Sequence, residues 1–370
     1  MSHDPLRIAQ RMDNLDASGI RKVFDLAAKM ENPINLSIGQ PDFDVPEPVK
    51  EAAIQAIRDG YNKYTQTQGL AELRAGVAEQ CKREFGWDDD RLYLITSGVS
   101  GGLLLAMLTL VNPGDEVIFM DPYFVMYEHL TNLVGGVPVK VPSYPDFRPD
   151  PEKIEAAITD KTRFLLINSP SNPTGVVYTE DELKAIAQIA RKHDLLVISD
   201  EIYDKFCYEP FHSMASFYEN TLLLRGWSKS YAMTGWRMGW CTGPAAILEK
   251  MTMLQQYSFV CAPSMAQLGG LKALEVDVSD KIEAYQRKRD MVAEKLGPAF
   301  GLVKPQGTFY AFAPAPGGSG TEFVRKAIDR NVLVIPGNVF SDRDSHFRMC
   351  FTVPDDVLEE GLDILVKLAE

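Results

Sequence analysis

The sequence predicts an α/β fold: a large domain with a mostly parallel seven-stranded sheet between helices, plus a smaller α+β domain built from both termini. Three observations carry this expectation. Short apolar runs alternate with longer helical patterns between Arg91 and Gly243. Several of those runs are apolar on consecutive residues, as strands covered on both faces must be. Beyond Ala245 the pattern turns helical and then mixed, which marks a second unit.

Taken in order, the strands are expected at Leu92–Thr96, Glu116–Asp121, Val137–Val141, Arg163–Asn168, Leu195–Asp200, Thr221–Gly226 and Gly239–Gly243. Helical patterns lie between them at Leu103–Leu110, Tyr123–Leu133 and Glu180–His193, the last opened by the capping-box pair Thr179 and Glu182. Ala245–Leu296 reads as almost entirely helical, including the charged stretch Lys281–Lys295. After Gly301 come short strands at Phe309–Ala313, Val332–Ile335 and Phe347–Phe351, with helices at Glu322–Asp329 and Val357–Ala369. The segment APAPGGSG, Ala313 to Gly320, reads as a surface loop. The expected division is a large domain over 45–265, with 1–44 and 266–370 forming an N-terminal arm and a small closing domain.

Composition narrows the function. The 370 residues are 45% hydrophobic and 24% charged, as in an ordinary globular protein. A net charge of −13 argues against nucleic acid or an anionic membrane as partner, since both reward dense basic patches. No apolar run approaches the roughly 20 residues that span a bilayer. The stretch Met1 to Gln10 mixes His3, Asp4 and Arg7 with apolar residues and has no leader core, so a cytoplasmic location is expected. The five cysteines are scattered and never form C-x-x-C, which reads as reduced thiols. No histidine pair has metal-ligand spacing, so no metal site is expected.

In an open parallel sheet, ligands bind beyond the carboxyl ends of the strands. Those ends here are TSGVSGG (Thr96 to Gly102), NSPSNPTG (Asn168 to Gly175), SDEIY (Ser199 to Tyr203) and RGWSKS (Arg225 to Ser230). A Gly-rich turn opening a helix presents backbone N–H groups to an anion, although it also reads as a flexible connection. It matches neither G-x-x-x-x-G-K-[ST] nor G-x-G-x-x-G, which disfavours nucleotide chemistry. Asp200 closes an apolar strand, either as a loop cap or as partner to a protonated ring nitrogen. Lys229 is either a solvated charge or, in a semi-apolar cleft near another cation such as Arg237, a nucleophile for an aldehyde.

With these motifs in hand, the chain resembles the class I and II aminotransferases, fold-type-I pyridoxal-phosphate enzymes, especially their aspartate-aminotransferase-like branch. The likeness runs through INLSIGQPDF (Ile34 to Phe43), KYTQTQG (Lys63 to Gly69), NPGDEVIFMDPYF (Asn112 to Phe124), SNPTG, SDEIYD, SKSYAMTGWRMGW (Ser228 to Trp240) and FRMCF (Phe347 to Phe351). The resemblance implies that Lys229 forms an aldimine with pyridoxal 5'-phosphate and that Asp200 pairs with its ring nitrogen. It implies that Tyr203 and Asn172 bond the phenolic oxygen and that Phe124 stacks on the ring. It assigns the phosphate to Val99, Ser100, Ser228 and Arg237. A family tyrosine matching Tyr64 reaches the neighbouring subunit's phosphate, which implies a homodimer. Arg348 would grip the substrate α-carboxylate, with Asn172 beside it and Gly39 giving room. The implied reaction moves the amino group between an L-amino acid and a 2-oxo acid; the same site could instead run a carbon–sulfur β-elimination.

Departures from the family pattern fall around the phosphate. Gly226 stands where a serine is common, the turn reads SGVSGG, Ser171 precedes NPTG, and Phe124 replaces Trp or Tyr. The substrate is not legible, because no second cation for a distal carboxylate can be placed. Met12, Ile20, Phe24 and Met233 read first as packing residues and second as an apolar side-chain pocket.

Overall fold

The computed structural model describes residues 8–13, 15, 19–87 and 91–370, without the side chains of Arg21, Lys22, Phe24 and Asp25. His3, Asp4 and Arg7, on which the leader reading rests, lie outside the described residues, as does the Phe24 side chain. A short strand, Ile34–Asn35 (β1), precedes the main sheet. That sheet contains Tyr93–Ser97 (β2), Glu116–Asp121 (β3), Val137–Pro142 (β4), Thr162–Asn168 (β5), Leu196–Asp200 (β6), Thr221–Gly226 (β7) and Met238–Thr242 (β8). Its seven strands lie in the order β2-β8-β7-β6-β5-β3-β4. Only β8 runs against its neighbours, antiparallel to both β2 and β7.

The consecutive apolar residues divide between the two faces, as a period of two requires. Phe164 and Leu166 of β5 enter one cluster with Val117, Phe119 and Leu224. Leu165 and Ile167 enter another with Ile118, Met120 and Val197. Helix Glu180–Lys192 covers the second face through Leu183, Ile186 and Ala190, and its Thr179–Glu182 capping box is formed. A third cluster joins Ile95 and Trp240 to helices Glu47–Arg58, Ala71–Phe85 and Ser264–Ala273.

The smaller sheet holds Tyr310–Pro314 (β9), Ile335–Pro336 (β11) and His346–Cys350 (β12) in the order β11-β12-β9, all antiparallel. Val332–Leu333 (β10) pairs in parallel with β1, so the N-terminal segment is part of this unit. Helices Ser279–Phe300, Gly320–Ile328 and Asp355–Ala369 pack on it around Phe309, Phe347 and Leu362.

Three local expectations need correction. Val332–Ile335 is not one strand, because its two halves pair with different partners, β1 and β12. The helical run after Ala245 is three helices, Ala245–Gln256, Ser264–Ala273 and Ser279–Phe300. The helix expected from Leu103 starts at Gly98, so the Gly-rich turn is itself the first helical turn. It is not a flexible connection. A Cβ at Gly239 would lie 2.6 Å from the Val99 nitrogen, and one at Gly102 would lie 2.7 Å from Leu224. The glycines let this helix press onto the sheet. Among the described residues, no helix is long and apolar enough to cross a membrane.

Candidate active site

Parallel strands bring their carboxyl ends to one edge, and the polar residues gather there. Asn168 ends β5 directly opposite Asp200, which ends β6. Beside them, β7 leads through Gly226 into the Lys229 turn, and β8 begins just after Arg237. A cleft of about 280 Å³ opens above this edge. Its walls include Gly39, Val99, Ser100, Phe124, Asn172, Asp200, Tyr203, Ser228, Lys229, Arg237 and Arg348. Of the cofactor- and substrate-binding residues implied by the resemblance, Tyr64 alone lies elsewhere, 84% exposed on the surface.

Asp200 is 2% exposed. Its Oδ2 accepts from Tyr127 Oη at 2.8 Å and its Oδ1 from the Ile202 amide at 3.3 Å. Burial nevertheless pushes its carboxyl up to about 6, against the Tyr127 bond that stabilises the charge. Asn168 fixes the strand end, donating to the Asp200 carbonyl at 2.9 Å and accepting from the Asn172 amide at 2.8 Å.

Lys229 sits in the turn after the buried Trp227, and its Nζ donates to the Gly39 carbonyl at 2.7 Å. Burial lowers its amine to about 8; the Arg348 and Arg237 charges add to this, while Cys350 and Asp200 oppose it. An amine in that range is about one-tenth uncharged at pH 7, roughly 300-fold more than an ordinary lysine, and is a ready nucleophile. The Tyr203 and Phe309 rings lie 5.8 and 5.7 Å from it. Tyr203 is tied by its hydroxyl to the Tyr310 hydroxyl at 2.9 Å.

At the other end, the Arg237 guanidinium lies against the start of helix Gly98–Leu110, its Nη2 donating to the Ser97 carbonyl at 3.5 Å. Gly98 has φ +70°, and a Cβ there would lie 2.6 Å from Arg237 Nη2. Arg237 itself is left-handed at φ 56°, and its Nη1 donates to the Thr234 carbonyl at 3.0 Å. A guanidinium beside helix N-terminal amides makes an anion site. Gly226 has no room for a serine: a Cβ would already meet the Met238 carbonyl at 2.9 Å.

Arg348 projects from β12, 1% exposed, between the Tyr310 and Phe340 rings at 4.4 and 4.6 Å. Its Nη1 donates to Asn172 Oδ1 at 3.1 Å and its Nη2 to the Ser37 carbonyl at 2.8 Å. Its Nε is buried with no acceptor. A buried donor of this kind is costly unless a ligand completes it. Gly39 is required here, since a Cβ would fall 2.0 Å from Tyr310 Oη.

Sequence reading missed Tyr127, Asn168 and Tyr310, all of which line the cleft. Asn168 was within reach, since it opens NSPSNPTG, one of the strand ends already singled out, whereas Tyr127 comes from helix Met126–Leu133 outside those segments. Tyr310 carried no such signal, because it comes from the other unit. Of the four apolar residues considered, Ile20 lines the cleft, Met233 is fully buried in the core and Met12 is exposed.

Comparison with known proteins agrees with this arrangement. The family model for class I and II aminotransferases matches residues 31–365. The chain is 37% identical to aromatic-amino-acid aminotransferase 2 of Thermococcus litoralis, over 98% of each chain. It is 36% identical to the aspartate aminotransferase of Pyrococcus abyssi, again over 98% of each. The solved structure of aspartate aminotransferase from Thermus thermophilus with maleate superposes with a TM-score of 0.93 at 33% identity, covering 98% of this chain and 99% of that one.

Proposed function

Because the chain belongs to the class I and II aminotransferases and is a transaminase, we propose that it holds pyridoxal 5'-phosphate in the cleft and works through Lys229. The observation that carries the reading is a single cleft holding an amine lowered to about 8 and a buried carboxyl. The residues fit that cofactor. The Lys229 charge offsets the burial of Asp200 only in part, so a protonated ring nitrogen would complete its pairing, and the Gly98 turn beside Arg237 offers donors for a phosphate.

Bound pyridoxal phosphate supplies an electrophilic carbon for the amine and a ring that accepts the electron pair left when the substrate Cα proton departs. Lys229 Nζ provides the amine and takes that proton. Asp200 would keep a proton on the ring nitrogen. Tyr203 and Asn172 would bond the phenolic oxygen, Phe124 would cover the ring, and Val99, Ser100, Ser228 and Arg237 would hold the phosphate. Arg348, aided by Asn172 and the space at Gly39, orients the substrate through its α-carboxylate. In this reading the large unit is 45–265 extended by the rest of helix Ser264–Ala273, which packs on the main sheet, and the segments before 45 and after that helix close over it to exclude water.

The working enzyme is a homodimer in this reading, with Tyr64 of the partner subunit completing the phosphate site. An apolar face supports this. Tyr64 and Tyr257 are each 84% exposed, and Phe259 and Val260 lie beside Tyr257. Gln255 donates to the Thr67 carbonyl and Gln267 to Thr65 Oγ1, which ties the Tyr64 loop to the helices that flank Tyr257. Nearby, Ile54, Ile57, Trp236, Pro263 and Met265 line an open apolar groove. A cytoplasmic location belongs to the same reading, supported by five free cysteines. Carbon–sulfur elimination is not favoured, since the relatives' names are those of aminotransferases.

The test is transfer of isotopically labelled nitrogen from an L-amino acid to a 2-oxo acid by purified protein with added cofactor. Transfer that vanishes in Lys229→Ala supports the assignment. Ammonia released in place of transfer overturns it.

A further inference from the structure

Resting on the site assignment above, we propose that Tyr310 is a positioning residue for the cofactor: its hydroxyl donates to the Tyr203 hydroxyl and so turns the single Tyr203 proton toward the phenolic oxygen. The two oxygens lie 2.9 Å apart, a distance that leaves either one as the donor. Proton counting decides between them. A tyrosine hydroxyl carries one proton to give and lone pairs that accept. Once Tyr203 spends its proton on the cofactor, the proton between the two tyrosines has to come from Tyr310. Burial raises both hydroxyls above the ordinary 10, so each keeps its proton through the neutral range.

The fold holds Tyr310 to this task. It is buried and lines the cleft from β9, in the smaller sheet, whereas Tyr203 follows β6 of the main sheet. The bond therefore crosses between the two sheets. The two rings stand nearly perpendicular, at 83° with centroids 5.7 Å apart, and the Arg348 guanidinium lies 4.4 Å from the Tyr310 ring. Arg348 pairs with Phe312 across β12 and β9, and Tyr310 sits two residues along on the same face. On the other side, the missing Cβ of Gly39 leaves room for the Tyr310 oxygen. A hydroxyl that accepts a bond donates more strongly in its turn, so Tyr310 tightens the grip of Tyr203 on the phenolic oxygen. Negative charge drawn into that bond is no longer available to hold the proton on Lys229 Nζ. Through Tyr203, Tyr310 thus lowers the pH at which Nζ of the loaded enzyme gives up its proton.

The experiment follows the visible absorption band of the cofactor-loaded enzyme against pH, whose midpoint reports the proton on Nζ. Tyr310→Phe keeps the ring against Arg348 and removes the hydroxyl. The midpoint should rise by about 0.4–1 pH unit, the scale of one neutral hydrogen bond. Tyr203→Phe should raise it by at least as much. Adding Tyr310→Phe to Tyr203→Phe should then move it no further, because a residue that acts through Tyr203 has nothing left to act on. Replacing Tyr310 with 3-fluorotyrosine, which keeps ring and hydroxyl but donates more strongly, should lower the midpoint, and this arm decides the matter even if Tyr310→Phe does not fold. A midpoint that neither replacement moves, or shifts that add in the double variant, overturns the inference and leaves the transaminase standing. Wild-type protein that takes up no cofactor brings down the site assignment, and this inference with it.

Discussion

Replacing Lys229 with methionine should stabilise the cofactor-free protein while abolishing its reaction. Burial holds this amine at about 8 in place of an ordinary 10.5. At about 1.4 kcal/mol per pH unit, keeping it charged in the folded chain costs about 3 kcal/mol. The sign follows from proton binding. Below pH 8 both folded and unfolded chains carry the charge, and the folded chain bears the whole cost. Between 8 and 10.5 the unfolded chain binds more proton, so stability rises with pH until neither form is charged. Methionine also loses the bond to the Gly39 carbonyl, which offsets about 1 kcal/mol. With an unfolding entropy of about 2.1 cal/mol/K per residue, a gain of 2–3 kcal/mol raises the midpoint by about 3–4 °C. Scanning calorimetry at pH 7 and 9.5, at one protein concentration, measures it. The advantage of the variant should shrink by about 2 kcal/mol at the higher pH. A variant less stable at pH 7, or an advantage that ignores pH, would refute the reasoning.

Three further outcomes are expected. Arg348→Lys loses the planar fork, so KM for the amino acid should rise about 10- to 100-fold with a smaller change in kcat, read by steady-state kinetics. Gly39→Ala drives a methyl into Tyr310 Oη and should lower the thermal midpoint and the activity together, whereas adding Tyr310→Phe should recover part of the stability. Arg225→Met strands Glu201, which Arg225 meets at 2.8 Å and which burial already pushes up, and should cost about 3–5 kcal/mol in denaturant unfolding. That loss should narrow as pH falls and Glu201 takes a proton.

The strands were legible because burial on both faces forces runs such as FLLI at Phe164–Ile167, and few other structures need them. β3 and β7 match their expected ranges, Glu116–Asp121 and Thr221–Gly226, residue for residue. The residues gathered at the cleft were legible for a related reason: the carboxyl ends of parallel strands must share an edge. What local sequence could not carry was the antiparallel insertion of β8 beside β2, which is a matter of topology. Tyr127 is a second case. It is buried against Asp200 by helix Met126–Leu133, and nothing in its neighbourhood separates it from Tyr123, which bonds Glu128 instead. Tyr310 and Phe340 are a third, since their role depends on the small sheet meeting the large one across Arg348. The opening of helix Gly98–Leu110 at its glycines was misjudged for a physical reason: glycine is poor in an isolated helix, and only the pressure of β8 shows why it is needed there.

The central claim is that one amine, on Lys229, joins the cofactor in this cleft. Purified protein loaded with pyridoxal phosphate, reduced with borohydride and digested, should carry the pyridoxyl group on the peptide containing Lys229 and on no other lysine. A label at another lysine, or none at all, would contradict it.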